Sequence, residues 1–248
     1  MTKKITLVIL IVGLFGFFKG CFAGMPSKMP DDFEMSFNRG GGMQDRSSQM
    51  ALSLKNCSIM ERFGGLENTI TFSLSPKELN AAYQILRQNS FPHIRTNGSV
   101  LYDKSGESLD ASWGKTNYSV GTMGTEVGFL WRKKWDNIAS YLAVFQRKEE
   151  EKQEVVVPVE LDASLVGKNI YVQLGGNSLF SDRVEVEKAQ TLSGHVIPGS
   201  HQFYAQITSN SQSAIPPPSP FSLTLDTRSM HGLKISWVAN QLVVEEVK

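Results

Sequence analysis

The sequence predicts an α+β first half followed by an all-β second half. Three observations carry that expectation. Apolar residues recur at helical spacing in two stretches, both before residue 150. Short runs of alternating apolar and polar residues surround those stretches, and after residue 154 helical periodicity stops altogether. The order strands, helix, strands, helix implies an antiparallel sheet with both helices packed on one face. The composition is that of a folded chain, with 248 residues, 41% hydrophobic, 20% charged, 21 Gly and 10 Pro. At about 150 residues per domain this allows one large domain or two small ones.

Residues 24–50 are polar and rich in Met, Gly and Asp, and read as a flexible lead-in in which Phe33, Met35 and Phe37 alternate like one edge strand. Residues 51–152 form the predicted α+β domain. Leu66 to Leu74 is a strand with Ile70, Phe72 and Leu74 on one face. Ser75, Pro76 and Glu78 then give a helix start: a capping hydroxyl, a proline fitted to the first turn and a carboxylate able to bond back to the cap. Leu79, Ala82, Tyr83 and Leu86 extend that helix to about Gln88. Val100 to Tyr102, Ser108 to Trp113 and Thr116 to Val120 are strands, the last two joined by a turn at Gly114 and Lys115. A second helix from about Phe129 to Lys148 carries Trp131, Trp135, Ile138, Leu142 and Phe145 on its apolar stripe. Glu149 to Glu154 read as a solvated helix end or linker.

Residues 153–248 form the predicted β-sandwich domain. Seven short strands are expected there: Val155 to Leu161, Ile170 to Leu174, Val184 to Val186, Gln202 to Ile207, Phe221 to Leu225, Leu233 to Val238 and Leu242 to Val247.

Residues 1–23 have the layout of a signal peptide: Lys3 and Lys4, then fourteen residues from Ile5 to Phe18 without a charge, then Gly20, Cys21 and Ala23. An apolar stretch in the range of about 7–15 residues belongs to an export signal, and is short of the ~20 needed to span a bilayer. Cleavage after Ala23 is one outcome. Lipidation of Cys21 is the other, because Phe18-Lys19-Gly20-Cys21 partly resembles a bacterial lipobox. Without residues 1–23 the chain has 22 basic against 24 acidic residues, which argues against nucleic acid as a partner. It also retains Cys57 as its one internal thiol, and so lacks the paired cysteines usual in secreted eukaryotic domains. The expected localisation is bacterial and exported, periplasmic or at the cell surface, with membrane attachment only through a lipid on Cys21.

No catalytic, cofactor-binding or metal-ligating set emerges. Cys57 with His93 as base would be the one nucleophile pair, against a plain buried thiol. His195 and His201 flank a turn at Pro198 and Gly199 and could approach across a hairpin, but two imidazoles make a weak metal site. His231 stands alone. The glycine runs Gly40 to Gly42 and Gly175 to Gly176 do not link a strand to a helix as phosphate loops do. Arg132, Lys133 and Lys134 between two tryptophans read as the solvated side of a helix. Pro216, Pro217, Pro218 and Pro220 read as a stiff connection between strands.

The second half resembles immunoglobulin-like modules of exported bacterial proteins, in its strand count and in the turn and alternating strand of Gly194 to Ile207. The first half, with Thr71-Phe72-Ser73-Leu74-Ser75, Tyr102-Asp103, Ser112-Trp113-Gly114-Lys115, Trp131 and Trp135, resembles small exported bacterial domains without an assigned activity. Neither resemblance carries a functional residue with it. The expectation is a non-enzymatic envelope or surface protein that binds another envelope protein. The alternative is an envelope enzyme or enzyme inhibitor whose site is assembled from distant residues.

Overall fold

A computed structural model describes residues 24–40, 46–98, 105–175, 177–179, 184–208, 221–229 and 231–247. The expected signal peptide with Cys21, the expected strand from Val100 to Tyr102, Gly41, Gly42, Gly176 and the Pro216 to Pro220 run lie outside those residues. Over the described residues the fold is mostly β, with two α-helices and several sheets whose strand pairs are almost all antiparallel.

In the first half, strands β1 (Glu34–Gly40), β2 (Arg46–Ser53), β3 (Cys57–Phe63), β4 (Leu66–Phe72), β6 (Gly106–Trp113) and β7 (Thr116–Gly121) make a six-stranded sheet in the order β4-β3-β2-β1-β6-β7. The two-residue strands β5 (Thr96–Asn97) and β8 (Glu126–Val127) pair with each other. Helix α1 (Pro76–Gln88) starts as its sequence requires. Ser75 Oγ accepts from the Glu78 amide at 3.3 Å, and the Ser75 amide donates to Glu78 Oε2 at 2.8 Å. Gly114 sits in the left-handed region at φ +56 in the β6–β7 turn, where a side chain would be strained.

Alternate residues of the sheet, among them Phe37, Met50, Ile59, Ile70 and Leu109, share one apolar cluster with Leu79, Ala82, Tyr83 and Leu86 of α1 and Trp135, Ile138 and Leu142 of α2 (Arg132–Glu151). Both helices therefore cover the same face. The other face is polar and bonded along itself, with Gln49 Nε2 donating to Ser36 Oγ at 2.9 Å and Asn38 Nδ2 to Ser108 Oγ at 3.2 Å.

Three expectations change. The Phe33, Met35, Phe37 alternation is a central strand, not an edge strand in a flexible lead-in: β1 pairs along its whole length with both β2 and β6, and burying its apolar side chains needs a neighbour on each side. Strands β2 and β3 were not foreseen. Glu149 to Glu151 are the end of α2, as one of the two expectations had it, but Glu149 and Glu150 are buried, so that end is solvated only from Glu151 on.

In the second half, β9 (Val155–Leu161), β13 (Gln190–Val196), β16 (Gly232–Val238) and β17 (Gln241–Val247) form one sheet in the order β13-β9-β16-β17. The other contains β10 (Asn169–Leu174), β11 (Asn177–Ser178), β12 (Val184–Glu185), β14 (Ser200–Thr208) and β15 (Phe221–Asp226). Val157, Val159, Leu161, Leu233 and Ile235 of the first sheet share an apolar cluster with Ile170, Val172, Leu174, Phe203 and Leu225 of the second, which fits a β-sandwich. One pair, β9 with β16, runs parallel. Ile197, just after β13, leaves this cluster and is buried in the first-half core.

Candidate functional site: a charged cleft at the seam

The sheet register stacks side chains into rows across the helix-covered face. Leu109, Phe37, Met50, Ile59 and Ile70 lie side by side and all are buried. Two residues further along each strand, the same face carries Glu107, Arg39, Ser48, Glu61 and Asn68. The covering layer changes at the same end. Trp135, Ile138 and Leu142 of α2 give way to Gln146, Glu149 and Glu150 at the positions that still face inward. Polar side chains on both layers leave a cleft of about 410 Å³, closed on its third side by His195, Val196 and Ile197.

The charges in the cleft are largely set against one another. Arg39 Nε lies 3.5 Å from Glu107 Oε1. Arg147 bonds Glu151 at 3.0 Å and also Glu154, whose other oxygen is 3.5 Å from His195 Nδ1. Burial pushes the Glu61 carboxyl above its ordinary value; Arg46 and Arg147 oppose that and Glu154 adds to it. Burial also pushes up Glu150, against the hydrogen bond from Gln146, and the charges of Glu61 and Glu154 reinforce the rise. Gln146 is only 2% exposed; its Nε2 donates to Glu150 Oε1 at 2.7 Å, while its Oε1 accepts nothing. Among the described residues it is the one buried side-chain oxygen or nitrogen without a partner. Such an acceptor costs about 1–3 kcal/mol when left dry and unbonded.

The joint beside the cleft is specific. Asn68 donates through Nδ2 to the Ser200 carbonyl and accepts through Oδ1 from the Ser200 amide, both at 2.8 Å, so it bonds the backbone as a neighbouring strand would. Gln202 Nε2 donates to the Gly64 carbonyl at 3.1 Å. His201 donates through Nε2 to the Ile197 carbonyl at 2.7 Å, and burial holds its pKa below the ordinary value, in keeping with a neutral ring. Gly199 has φ +152, and a Cβ built there would stand 1.9 Å from Asn68 Oδ1.

No protein-family model and no curated protein matches this sequence.

Of the residues singled out in the sequence, His195 faces the cleft and His201 sits in the joint. They belong to different sheets, each with its own partner, since the turn at Pro198 and Gly199 carries the chain from one sheet to the other. Among the described residues no three His, Cys, Asp or Glu side chains converge as metal ligands. Cys57 is buried on β3; its thiol donates to the Ser53 carbonyl at 3.3 Å and burial pushes its pKa up, the opposite of an activated nucleophile. His93 lies in the short 3-10 turn Phe91–His93 after α1. Arg132 and Lys133 are exposed, while Trp135 between α2 and the sheet is buried. The cleft itself was missed. Its signal was present, because alternation in β2 to β4 breaks where Ser48, Glu61 and Asn68 take inward positions.

Proposed function

We propose that this chain is an exported bacterial protein of the periplasm or cell surface that works by binding another envelope component, and that the seam cleft is where it takes hold. Residues 1–23 direct export, with Cys21 either removed or lipidated, and the second half is an immunoglobulin-like module. The observation that carries the binding role is Gln146 Oε1, a buried acceptor with no partner among the described residues, on a side chain that lines the cleft. A partner that brings a hydrogen-bond donor, such as an amide or an ammonium group, satisfies that oxygen and sits beside the Glu61 and Glu150 carboxyls. The internal pairing of Arg39 with Glu107 and of Arg147 with Glu154 favours a preformed recognition surface over a reaction centre.

The test is affinity capture from envelope extract with the wild-type protein and with Glu150→Lys. A partner retained by the wild type and lost by the variant, with the variant's circular dichroism unchanged, supports the reading. Equal capture by both removes the cleft from it. A second reading as an enzyme rests on two carboxyls on the cleft wall, Glu61 and Glu150, both raised by burial, with the charge of Glu61 adding to the rise at Glu150. A hydrolytic activity on envelope polymers abolished by Glu61→Gln and by Glu150→Gln would establish it in place of the first.

A further inference from the structure

Among the described residues, the most exposed large apolar side chains lie far along α2 from the cleft. Phe129 and Leu130, in the 3-10 turn Phe129–Trp131 that leads into α2, are 85% and 83% exposed, well beyond Val144 and Val156 at 56% each. Two adjacent bulky side chains held almost entirely in water are costly to leave so, and they form a protruding wedge, not a groove. Trp131 follows, half-buried, with the Lys134 ammonium 5.1 Å from its ring centre. Next come Arg132 and Lys133, both exposed. No side chain caps α2 and its first turn holds no acid, so the positive end of the helix dipole adds to the three cations. The facing acids are Glu126, 3.8 Å from Arg132, and Asp136 on the next turn, so the tip keeps a positive balance on a chain that is otherwise close to neutral.

We infer that this tip docks on an anionic phospholipid bilayer, Phe129 and Leu130 entering the headgroup boundary while Arg132, Lys133 and Lys134 meet lipid phosphates. The arrangement matches the requirements of an interfacial anchor: apolar bulk to insert by about 5–10 Å, an indole at the interface and cations beside it. A protein partner is the poorer fit. The fully buried centre of a protein interface is depleted in charge, whereas here three cations adjoin the apolar pair. The contact is independent of the cleft and of any lipid on Cys21.

The experiment reads the tip locally, because the apolar segment from Ile5 to Phe18 would give the full chain a bilayer affinity of its own. Leu130→Cys in a Cys21→Ser background, with Cys57 buried, is labelled with an environment-sensitive fluorophore and mixed with phosphatidylcholine vesicles with or without phosphatidylglycerol, the anionic lipid that attracts cations near the surface. The expected result is an intensity rise of at least about twofold with phosphatidylglycerol, quenched by lipids brominated near the headgroup and reduced about tenfold in apparent affinity by Lys133→Glu with Lys134→Glu. The same label on Ser140→Cys, exposed elsewhere on α2, stays dark. No response at residue 130, or a response indifferent to phosphatidylglycerol, overturns the inference. A rise with protein concentration in the absence of vesicles also overturns it and assigns the wedge to self-association.

Discussion

Substituting Asn68 and Gly199 singly and together tests whether the two halves are held by one side chain. In Asn68→Ala, two hydrogen bonds to the part-buried Ser200 backbone disappear. At about 1–1.5 kcal/mol each, the loss is about 2–3 kcal/mol. For a chain of this size that lowers the melting temperature by about 4–12 °C. In Gly199→Ala, the new Cβ at 1.9 Å from Oδ1 drives the amide out of the same two bonds, and φ +152 adds strain of about 1–3 kcal/mol. The sum for that single variant is about 3–6 kcal/mol. Once Asn68 is alanine the oxygen is gone, and the Asn68 Cβ at 3.1 Å asks for only a small shift. The double variant should therefore cost no more than Gly199→Ala alone, a coupling of about 2–3 kcal/mol between the sites. Urea unfolding followed by circular dichroism and by tryptophan fluorescence measures all four corners of the cycle. Additive effects, or an Asn68→Ala loss below about 0.5 kcal/mol, would show that Asn68 does not hold the joint.

Other consequences follow from the same contacts. Ile197→Ala empties a fully enclosed position in the first core from a residue of the second half, and should cost about 2–4 kcal/mol by denaturant unfolding; a change under about 1 kcal/mol would refute that packing. Glu61, Glu107 and Glu150 have raised carboxyl values, so their contribution is complete below the unfolded value of 4.5 and is lost as pH rises through their folded values. Glu78 and Asp162, the latter lowered to about 2, act in the opposite sense and lose their contribution only as pH falls through those lowered values. The fall in melting temperature from pH 4.5 to 8 should be shallower in Glu150→Gln, and an unchanged slope would count against a buried Glu150 carboxyl. Native Cys57 should react slowly with a thiol reagent and rapidly in denaturant; fast native labelling would place the thiol outside the core.

How much of the fold could be read in advance depended on whether one physical signal governed each segment. The first helix was legible to the residue because Ser75, Pro76 and Glu78 fix its start and Leu79, Ala82, Tyr83 and Leu86 fix its face. In the second half β9, β10 and β14 to β17 were visible, because alternation there ends at turns. Strand β13 was not, since its inward positions are Gln190, Leu192, Gly194 and Val196, of which only two carry a large apolar side chain. The position of β1 in the middle of its sheet could not be seen without β2, whose sequence Arg46–Ser53 shows only two large apolar residues.

The failure at β2, β3 and the end of α2 has one cause, and it bears on function. A strand announces itself by keeping apolar residues on one face, but the row Glu107, Arg39, Ser48, Glu61 and Asn68 puts polar groups on the buried face for one step of the register. The helix does the same at Gln146 and Glu150. Had those positions been Leu or Val, the core would have run on to the end of the sheet, the pattern would have been easy to read, and no cleft would exist. Asn68, the last member of the row, closes it by bonding the Ser200 backbone. The polar row that obscures β2 and β3 thus also opens the cleft, and its last member, Asn68 on the legible strand β4, fastens the second half beside it. Loosening that fastening should alter the cleft as well as the stability, so Asn68→Ala should weaken capture of a cleft partner although Asn68 itself lies in the joint.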